Sequence, residues 1–350
     1  MKTEKKGSAV LKTILFTEAT NENIEAAAEI IRRGGLLGIP TETVYGLGAD
    51  ALNADACRRI YEAKGRPQDN PLIIHVPDST WLSRYCENVP ESAYRLADEF
   101  WPGPLTMILP KKDVVPYRTT GGLDTVGVRC PNHPVTLAVI RAAGVPVAAP
   151  SGNTSGRPSP TTAADMVEDM DGKIDGIFDG GACSVGVEST IIDLTCEPPR
   201  LLRAGGLPLE ELQRVLGTVL VDRCITQPVA DGEHPRAPGM KYRHYAPKAP
   251  VTVVTGDGEK SADYIARHAQ QGAGVICFSE YRALFPGRVI HDLGPEGDKS
   301  EQARRVFDAL REFDVTGVPE IYAQCPDDAG LGLAIGNRLK KAAGFHVVEV

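Results

Sequence analysis

The chain has 350 residues, which is too long for one typical domain and fits two. Of these residues 42% are hydrophobic and 24% are charged, a composition typical of a globular enzyme. Its formal net charge of −8 argues against a general nucleic-acid scaffold, although it leaves room for a local basic groove. Eight scattered cysteines, with no CxxC pair and no histidine at ligand spacing, favour free thiols in a reducing compartment over a zinc site or a disulfide framework. The first residues lack an apolar signal region and no apolar run could span a bilayer, so we expect a soluble, cytoplasmic protein without membrane contacts.

Apolar runs alternate with amphipathic stretches from residue 21 to about residue 207, which predicts an α/β domain. Several connections between strands are too short to hold crossover helices, so we expect a mixed sheet. The predicted helices are 24–33, 55–63, 91–100, 134–143 and 161 or 162 to 170, and the predicted strands are 36–39, 71–76, 105–109, 125–128, 145–149, 176–179, 189–194 and 200–203.

Two polar clusters interrupt regular elements of this domain with glycine. Lys64 and Arg66 follow a helix, and Ser151 and Asn153 lie in the glycine-rich loop 151–156, which opens onto the next helix. Cations and unsatisfied amides at a helix N-terminus suit a polyphosphate, whereas either cluster alone is more often merely solvated. Together the two clusters favour nucleotide binding.

Other polar residues stand beside predicted strands. The loop 40–48, which contains Thr41, is equally compatible with a pocket for a small polar ligand and with threonines that only bond local backbone. His75 is either a core histidine or a ligand-facing donor, and Arg129 at a strand end needs a carboxylate or phosphate partner. The sequence contains no P-loop, nucleophile elbow or metal-ligand motif, so we expect catalysis by positioning and charge neutralisation.

The chain changes character after residue 207. A helix at 209–216 and a strand lead to the stretch 235–248, which carries four cations, two tyrosines and no acidic residue. This composition differs from that of a flexible spacer and favours a segment that lies over a site. From residue 251 onward strands and helices alternate, which predicts a small parallel, Rossmann-like domain without a GxGxxG motif. Its predicted elements are strands 251–255, 275–278, 289–293 and 321–323 and helices 262–271, 302–313 and 331–343.

In this order the motifs resemble those of the YrdC family, and more narrowly its long two-domain members, the threonylcarbamoyl-AMP synthases. The resemblance covers essentially the whole chain. It implies a YrdC-like twisted mixed sheet with helices at 17–210, a linker or lid at 211–250 and a small C-terminal Rossmann-like parallel α/β domain at 251–350. The motifs that carry it are PTETVYGLG, KGRP, NPLIIH, VGVR, APSGN, ESTIID, LRAG and APGMKYRHYAP.

The resemblance also implies an activity and the residues that serve it. Such an enzyme is a nucleotidyltransferase that makes threonylcarbamoyl-AMP and pyrophosphate from L-threonine, bicarbonate and ATP, with Mg²⁺ held mainly through the ATP phosphates. A separate transferase, which such an enzyme contacts only transiently, then modifies tRNAs that read codons beginning with A. The resemblance makes Lys64 and Arg66 catalytic and ATP-binding, and adds Asn70, Thr125, Ser151, Asn153, Ser159, Arg203 and Tyr242 to the ATP site. The threonine site would be Thr41, Tyr45, His75, Arg129, Ala149 and Ser189.

Other functions stay open at this point. A basic concave face could bind double-stranded RNA, although the net negative charge of residues 1–207 permits only weak contact. A related domain could instead transfer a carbamoyl or adenylyl group to another acceptor. A structural protein with a vestigial site is disfavoured, because each polar motif is intact. The oligomeric state and the role of the C-terminal domain are not fixed by the sequence.

Overall fold

The computed structural model describes residues 12–227, 236–238 and 245–350, and within these ranges the strands form two sheets. The first sheet contains β1 (Ile14–Phe16), β2 (Leu37–Ile39), β3 (Gly46–Asp50), β4 (Ile73–His75), β5 (Leu105–Pro110), β6 (Thr125–Arg129), β7 (Val147–Ala148), β8 (Gly176–Phe178), β9 (Thr190–Asp193), β10 (Arg200–Arg203) and β11 (Leu220–Val221). The second contains β12 (Val251–Thr255), β13 (Gly274–Cys277), β14 (Val289–Asp292), β15 (Ile321–Gln324) and β16 (Val347–Glu349).

Helices cover both sheets. The helices of the first unit are α1 (Asn21–Arg32), α2 (Ala54–Lys64), α3 (Leu82–Tyr85), α4 (Glu91–Phe100), α5 (Tyr117–Thr120), α6 (Pro134–Ala143), α7 (Ala163–Met170) and α8 (Leu209–Leu216). Those of the second unit are α9 (Gly258–His268), α10 (Lys299–Thr316) and α11 (Gly332–Ala342).

The pairing of the strands confirms the predicted fold class. The first sheet has the order β1-β8-β2-β3-β7-β4-β6-β5-β9-β10-β11 and mixes parallel pairs, such as β4 with β6, with antiparallel pairs, such as β5 with β6. The second sheet has the order β14-β13-β15-β12-β16, and its pairs are parallel. The described residues therefore form two α/β units of different size, each consisting of a sheet and its helices.

One central strand contradicts the sequence analysis. Residues 46–48, predicted as part of the loop 40–48, belong to β3, which lies between β2 and β7. A Cβ atom at Gly48 would stand 3.0 Å from Cγ1 of Val147 and 3.2 Å from the carbonyl oxygen of Leu37. Glycine is needed here because neighbouring strands approach closely, and this glycine content is what made the segment look like a turn.

The first sheet extends beyond the bounds predicted for the first domain. Strand β1 precedes residue 17 and pairs with β8, while β11 follows residue 210 and pairs with β10. Both are edge strands of two or three residues, too short to show an alternating pattern. The short helices α3 and α5 and the edge strand β16 were not predicted for the same reason.

Helix α2 shows how local sequence positions a candidate residue. Asn53 caps its first turn by accepting hydrogen bonds from the amides of Asp55 and Ala56, and Gly65 ends it in a left-handed conformation with φ 61°. Lys64 is consequently the last helical residue, and its side chain is buried rather than solvated.

The cysteines are isolated thiols. All eight are free, and seven of them are buried, while Cys196 is half-buried. No helix in the described ranges is long and apolar enough to cross a membrane.

Buried polar contacts join the second unit to the first. Arg311 in α10 donates to Asp169 in α7 at 2.5 Å and to the carbonyl oxygen of Pro158 at 2.7 Å. Arg338 in α11 donates to Glu188 at 2.7 Å. The two units are thus connected by charged groups withdrawn from water.

Candidate active site

A cavity lies beside the central strands of the first sheet, with about 690 Å³ of empty space including the part open to solvent. It brings together ten of the fifteen residues assigned from the sequence: Thr41, Lys64, Arg66, His75, Arg129, Ala149, Ser151, Asn153, Ser189 and Arg203. Residues far apart along the chain therefore line one space, as a ligand site in an open α/β sheet requires.

Lys64 joins the two polar clusters. Its Nζ atom donates to the carbonyl oxygen of Ser151 at 2.5 Å and also to that of Asn153. The Oγ atom of Ser151 in turn donates to Oδ1 of Asn153 at 2.6 Å. Burial, followed by the neighbouring charge of Arg66, lowers the pKa of Lys64 well below its usual value. The lysine is therefore both a polar group at the cavity wall and the anchor of the glycine-rich loop.

Arg66 is held by backbone oxygens. Its guanidinium donates to the carbonyl oxygens of Asn70 at 3.3 Å and Pro71 at 3.0 Å, just before β4. Asn70 thus supports Arg66 through its main chain, while its own side chain does not line the cavity.

His75 and Arg129 stand opposite each other in the β4–β6 ladder. The guanidinium of Arg129 lies 2.7 Å from Oε2 of Glu42, both groups being buried, so the arginine has the carboxylate partner that its position requires. Burial, together with the charge of Arg129, lowers the pKa of His75 to about 3. His75 is therefore neutral at physiological pH and can act as a hydrogen-bonding group without adding charge.

Arg203 and Ser189, which also line the cavity, are joined to each other. Arg203 donates to the carbonyl oxygen of Ser189 at 3.0 Å and to its Oγ at 3.1 Å, and this Oγ lies 2.8 Å from the hydroxyl of Thr106. Burial lowers the pKa of Arg203 to about 10, so the guanidinium stays protonated at neutral pH. A fixed cation and a fixed hydroxyl thus face the cavity together.

Other assigned residues lie elsewhere. The hydroxyl of Tyr45 donates to the carbonyl oxygen of Gly181 at 2.7 Å and accepts from the amide of Gly180, so this side chain braces a loop outside the cavity lining. Thr125 begins β6 opposite Pro110, away from that lining. Tyr242 lies outside the described residues, as does much of the stretch 235–248.

The loop 151–156 does not present a helix N-terminus to a phosphate, contrary to the sequence analysis. The next helix, α7, has a capping box in which Thr162 accepts from the amide of Asp165. The carboxylate of Asp165 also accepts from the amides of Thr161 and Thr162. Because an acidic side chain already occupies these amides, an additional anion there would be repelled. Phosphate binding has to rely on the cationic side chains.

Glu188, which was not predicted from the sequence as a site residue, lines the cavity. Burial alone would raise its pKa, but the charges of Arg338 and Arg203 and a hydrogen bond from Ser159 lower it to about 2. Ser159, assigned to the ATP site, donates to Oε1 of Glu188 at 2.7 Å and lies behind the lining. An acid directly before Ser189 is visible in the sequence, but its partner Arg338 is not, because 150 residues separate them.

Tyr245 and Pro238 also line the cavity. Both belong to the basic, aromatic stretch predicted to lie over a site, so its described portions do reach the site. The ring of Tyr245 packs 5.0 Å from that of Phe307 in α10.

Comparison with known proteins gives matches over both units. Residues 29–205 match a family model described as "Telomere recombination", and residues 207–344 match one described as "Threonylcarbamoyl-AMP synthase, C-terminal domain". Threonylcarbamoyl-AMP synthase of Pyrococcus abyssi is 49% identical, covering 93% of this chain and 96% of its own length. The enzyme of Bacillus subtilis is 45% identical, covering 95% and 98%.

A solved structure agrees with these matches. The crystal structure of Pyrococcus abyssi Sua5 complexed with L-threonine superimposes with a TM-score of 0.90 at 48% identity, covering 97% of this chain and 99% of that one. Similarity of this extent, over both units and with most of the assigned residues gathered in one cavity, leads to one conclusion: the chain belongs to the threonylcarbamoyl-AMP synthase family.

Proposed function

We propose that this chain converts L-threonine, bicarbonate and ATP into threonylcarbamoyl-AMP and pyrophosphate. One observation carries the proposal: the basic side chains of Lys64, Arg66, Arg129 and Arg203 line a single cavity together with a neutral histidine. A reaction between two anions needs such a surplus of fixed positive charge.

The chemistry explains why charge matters. The amine of threonine and bicarbonate give a carbamate with loss of water, and the new carboxylate oxygen attacks the α-phosphorus of ATP. A bond forms between that oxygen and phosphorus, and the bond from the α-phosphorus to the bridging oxygen breaks, so that pyrophosphate leaves. Lys64 and Arg66 would offset the charges of the two anions as they approach, in a site that keeps water from the labile carbamate.

A second group of residues that line the cavity suits an amino acid. Arg129, His75 and Ser189 line the cavity with a cation, a neutral imidazole and a hydroxyl. Thr41 lines it too, but its hydroxyl donates to the carbonyl oxygen of Val44 at 2.7 Å. The relative from Pyrococcus abyssi has been crystallised with L-threonine, which supports assigning this group of residues to that substrate. The nucleotide would then lie toward Ser151, Asn153 and Arg203.

Magnesium fits this scheme as part of the nucleotide substrate. Among the described residues no group of three His, Cys, Asp or Glu side chains could hold a metal ion, and Glu188 is already bound by Arg338 and Ser159. Mg²⁺ bound to the ATP phosphates would supply additional positive charge to the departing pyrophosphate. Lys64 and Arg66 would contact the complex of Mg²⁺ with the ATP phosphates.

The product is a mixed anhydride that water destroys, so a second enzyme must use it quickly. We assign that role to a transient threonylcarbamoyl transferase acting on tRNAs that read codons beginning with A. The segment 241–243 lies outside the described residues, and we assign it to a lid, since Pro238 and Tyr245 on either side line the cavity. Replacing Lys241 and Arg243 by alanine should weaken ATP use and increase unproductive hydrolysis; normal kinetics would contradict a lid.

The test is pyrophosphate release from ATP and Mg²⁺, with and without threonine and bicarbonate, followed by mass spectrometry of the adenylate. Release that requires both substrates and yields the threonylcarbamoyl-AMP mass supports the proposal. Release without threonine would point to another carbamoyl or adenylyl acceptor. Absence of release, combined with salt-sensitive RNA binding in the nanomolar range, would favour the RNA-binding alternative.

A further inference from the structure

A buried carboxylate stands in the wall of a cavity that otherwise collects cations. Glu188 lines the cavity, and its two oxygens have separate partners. Oε1 accepts a hydrogen bond from Ser159 at 2.7 Å, and Oε2 accepts one from Arg338 at 2.7 Å. An anion at this place opposes the binding of a polyphosphate unless another charge compensates it.

The compensating charge comes from the second unit of the chain. Arg338 belongs to α11 and is fully buried, with its guanidinium 5.5 Å from the ring centroid of Tyr245. Its neighbour Asn337 fixes it further, since Oδ1 of Asn337 accepts from Arg338 at 2.9 Å while Nδ2 donates to the carbonyl oxygen of Ile225 at 2.7 Å. The side chain is therefore held rigidly against Glu188.

We infer that Arg338 is a positioning residue for nucleotide binding: by pairing with Glu188 it removes an opposing charge from the cavity and holds Ser159 in place. This role rests on the proposed function, because it concerns the ATP side of the same site. The C-terminal unit thereby contributes an electrostatic part of a cavity whose lining cations Lys64, Arg66, Arg129 and Arg203 belong to the N-terminal unit.

Two features separate this role from simple domain docking. Arg311 is a second buried arginine that crosses between the units, but its carboxylate partner Asp169 is not among the residues that line the cavity. Moreover, Arg203 donates to Ser189, the residue next to Glu188, so the charge of Glu188 acts directly beside a predicted nucleotide contact. Loss of Arg338 should therefore weaken ATP binding. Loss of Arg311 should change it much less, because Asp169 keeps its ion pair with Arg157 at 2.7 Å.

The decisive experiment compares Arg338→Met, Arg311→Met and the double variant Glu188→Gln/Arg338→Met in the full chain. We expect Arg338→Met to raise KM for ATP by roughly tenfold or more, because an uncompensated charge then faces the phosphates. KM for threonine should change by less than about twofold, because threonine is a zwitterion without net charge, whereas the phosphates of ATP carry several negative charges. Arg311→Met should leave KM for ATP near the wild-type value despite lower thermal stability.

The double variant Glu188→Gln/Arg338→Met distinguishes an uncompensated charge from a general loss of folding in Arg338→Met. A glutamine in place of Glu188 still accepts from Ser159 but carries no charge, so the double variant should regain most of the ATP affinity. Retention of the full defect in Glu188→Gln/Arg338→Met would overturn the inference, as would an equal rise of KM for ATP in Arg311→Met.

Direct calorimetric titration with ATP and Mg²⁺ keeps this result separate from that of the proposed function. If the wild-type chain binds ATP but releases no threonine-dependent pyrophosphate, the proposed function fails while the variants still test Arg338 through their ATP dissociation constants. If wild-type activity is present and Arg338→Met binds ATP as tightly as the wild type, only the inference about Arg338 fails.

Discussion

At the scale of single residues, the structure shows cationic groups that are withdrawn from water and held by backbone oxygens. Lys64 contacts two carbonyl oxygens of the glycine-rich loop, and Arg66 contacts two more before β4. The sequence could indicate which residues matter, because lysine and arginine beside glycine are conspicuous. It could not show that Lys64 is buried, since that follows from a loop almost ninety residues away.

Replacing Lys64 by methionine tests the central cation. We expect pyrophosphate release to fall about 100-fold or more, because the amino group that would neutralise the approaching phosphates in a water-poor site is lost. Threonine-dependent release within about threefold of the wild type would contradict the role assigned to Lys64. The exposed Lys260→Met, in the second unit, is the matched control and should keep full activity.

His75 gives the protein a defined acid sensitivity. With its pKa near 3 in the folded state and 6.5 when unperturbed, the histidine takes up a proton just below pH 6.5 only in the unfolded chain. The free energy of unfolding should therefore fall by about 2 kcal/mol between pH 6.5 and pH 5 on account of this one group. Denaturant titrations of His75→Gln should show a shallower pH dependence than those of the wild type.

Substrate selectivity is a further consequence at this scale. A buried donor that hydrogen-bonds the threonine hydroxyl would be left unpaired by valine, so valine is rejected strongly. Serine keeps the hydroxyl and lacks only one methyl group, a difference worth only ~1–3 kcal/mol. Serine should thus be the most readily accepted analogue, with kcat/KM roughly 10–200-fold below that of threonine. Rejection of serine by several orders of magnitude would contradict this expectation.

At the scale of elements, apolar and amphipathic periodicity located most helices and the long strands, and several bounds agree to the residue. Helices α4, α6 and α8 begin and end where predicted, as do β10 and β12. Periodicity failed where an element was very short or rich in glycine, as in β1 and β3, because neither leaves an alternating pattern to read.

The close approach of β3 to its neighbouring strands can be tested by adding a methyl group at Gly48. Gly48→Ala should lower the free energy of unfolding by about 1–3 kcal/mol, since the new methyl group meets Val147 and the backbone of Leu37. Gly297→Ala is the control: no atom lies within 4 Å of a Cβ at that position, and its effect should stay within about 0.5 kcal/mol. Similar losses in both variants would argue against close strand approach as the cause.

At the scale of the whole molecule, the two units are coupled by buried ion pairs that sequence patterns cannot reveal. The pairs Arg311–Asp169 and Arg338–Glu188 join residues 142 and 150 positions apart. Chain length predicted two domains, and the resemblance predicted their kind. Neither predicted that the second unit would supply a partner for a charge in the cavity of the first.

This coupling can be measured with the native tryptophans. Both Trp81 and Trp101 belong to the first unit, so their fluorescence reports on that unit alone. Arg311→Met, in the second unit, should lower the unfolding midpoint seen by this fluorescence, because breaking a buried pair costs on the order of 3 kcal/mol. The exposed pair of Arg267 with Asp263 offers the control, since Arg267→Met should leave the midpoint nearly unchanged. An unchanged midpoint in Arg311→Met would show that the units unfold independently.

The buried cysteines have a practical consequence for following motion in this enzyme. Burial raises the pKa of Cys57 in the first unit to about 11 and that of Cys277 in the second to about 12, so neither thiol reacts while its surroundings stay closed. Alkylation of the native chain should begin at half-buried Cys196 and reach the others only as fast as their regions open. Mass-spectrometric timing of each alkylated peptide would then record, without any introduced probe, how often each unit opens and whether bound nucleotide slows one, the other or both.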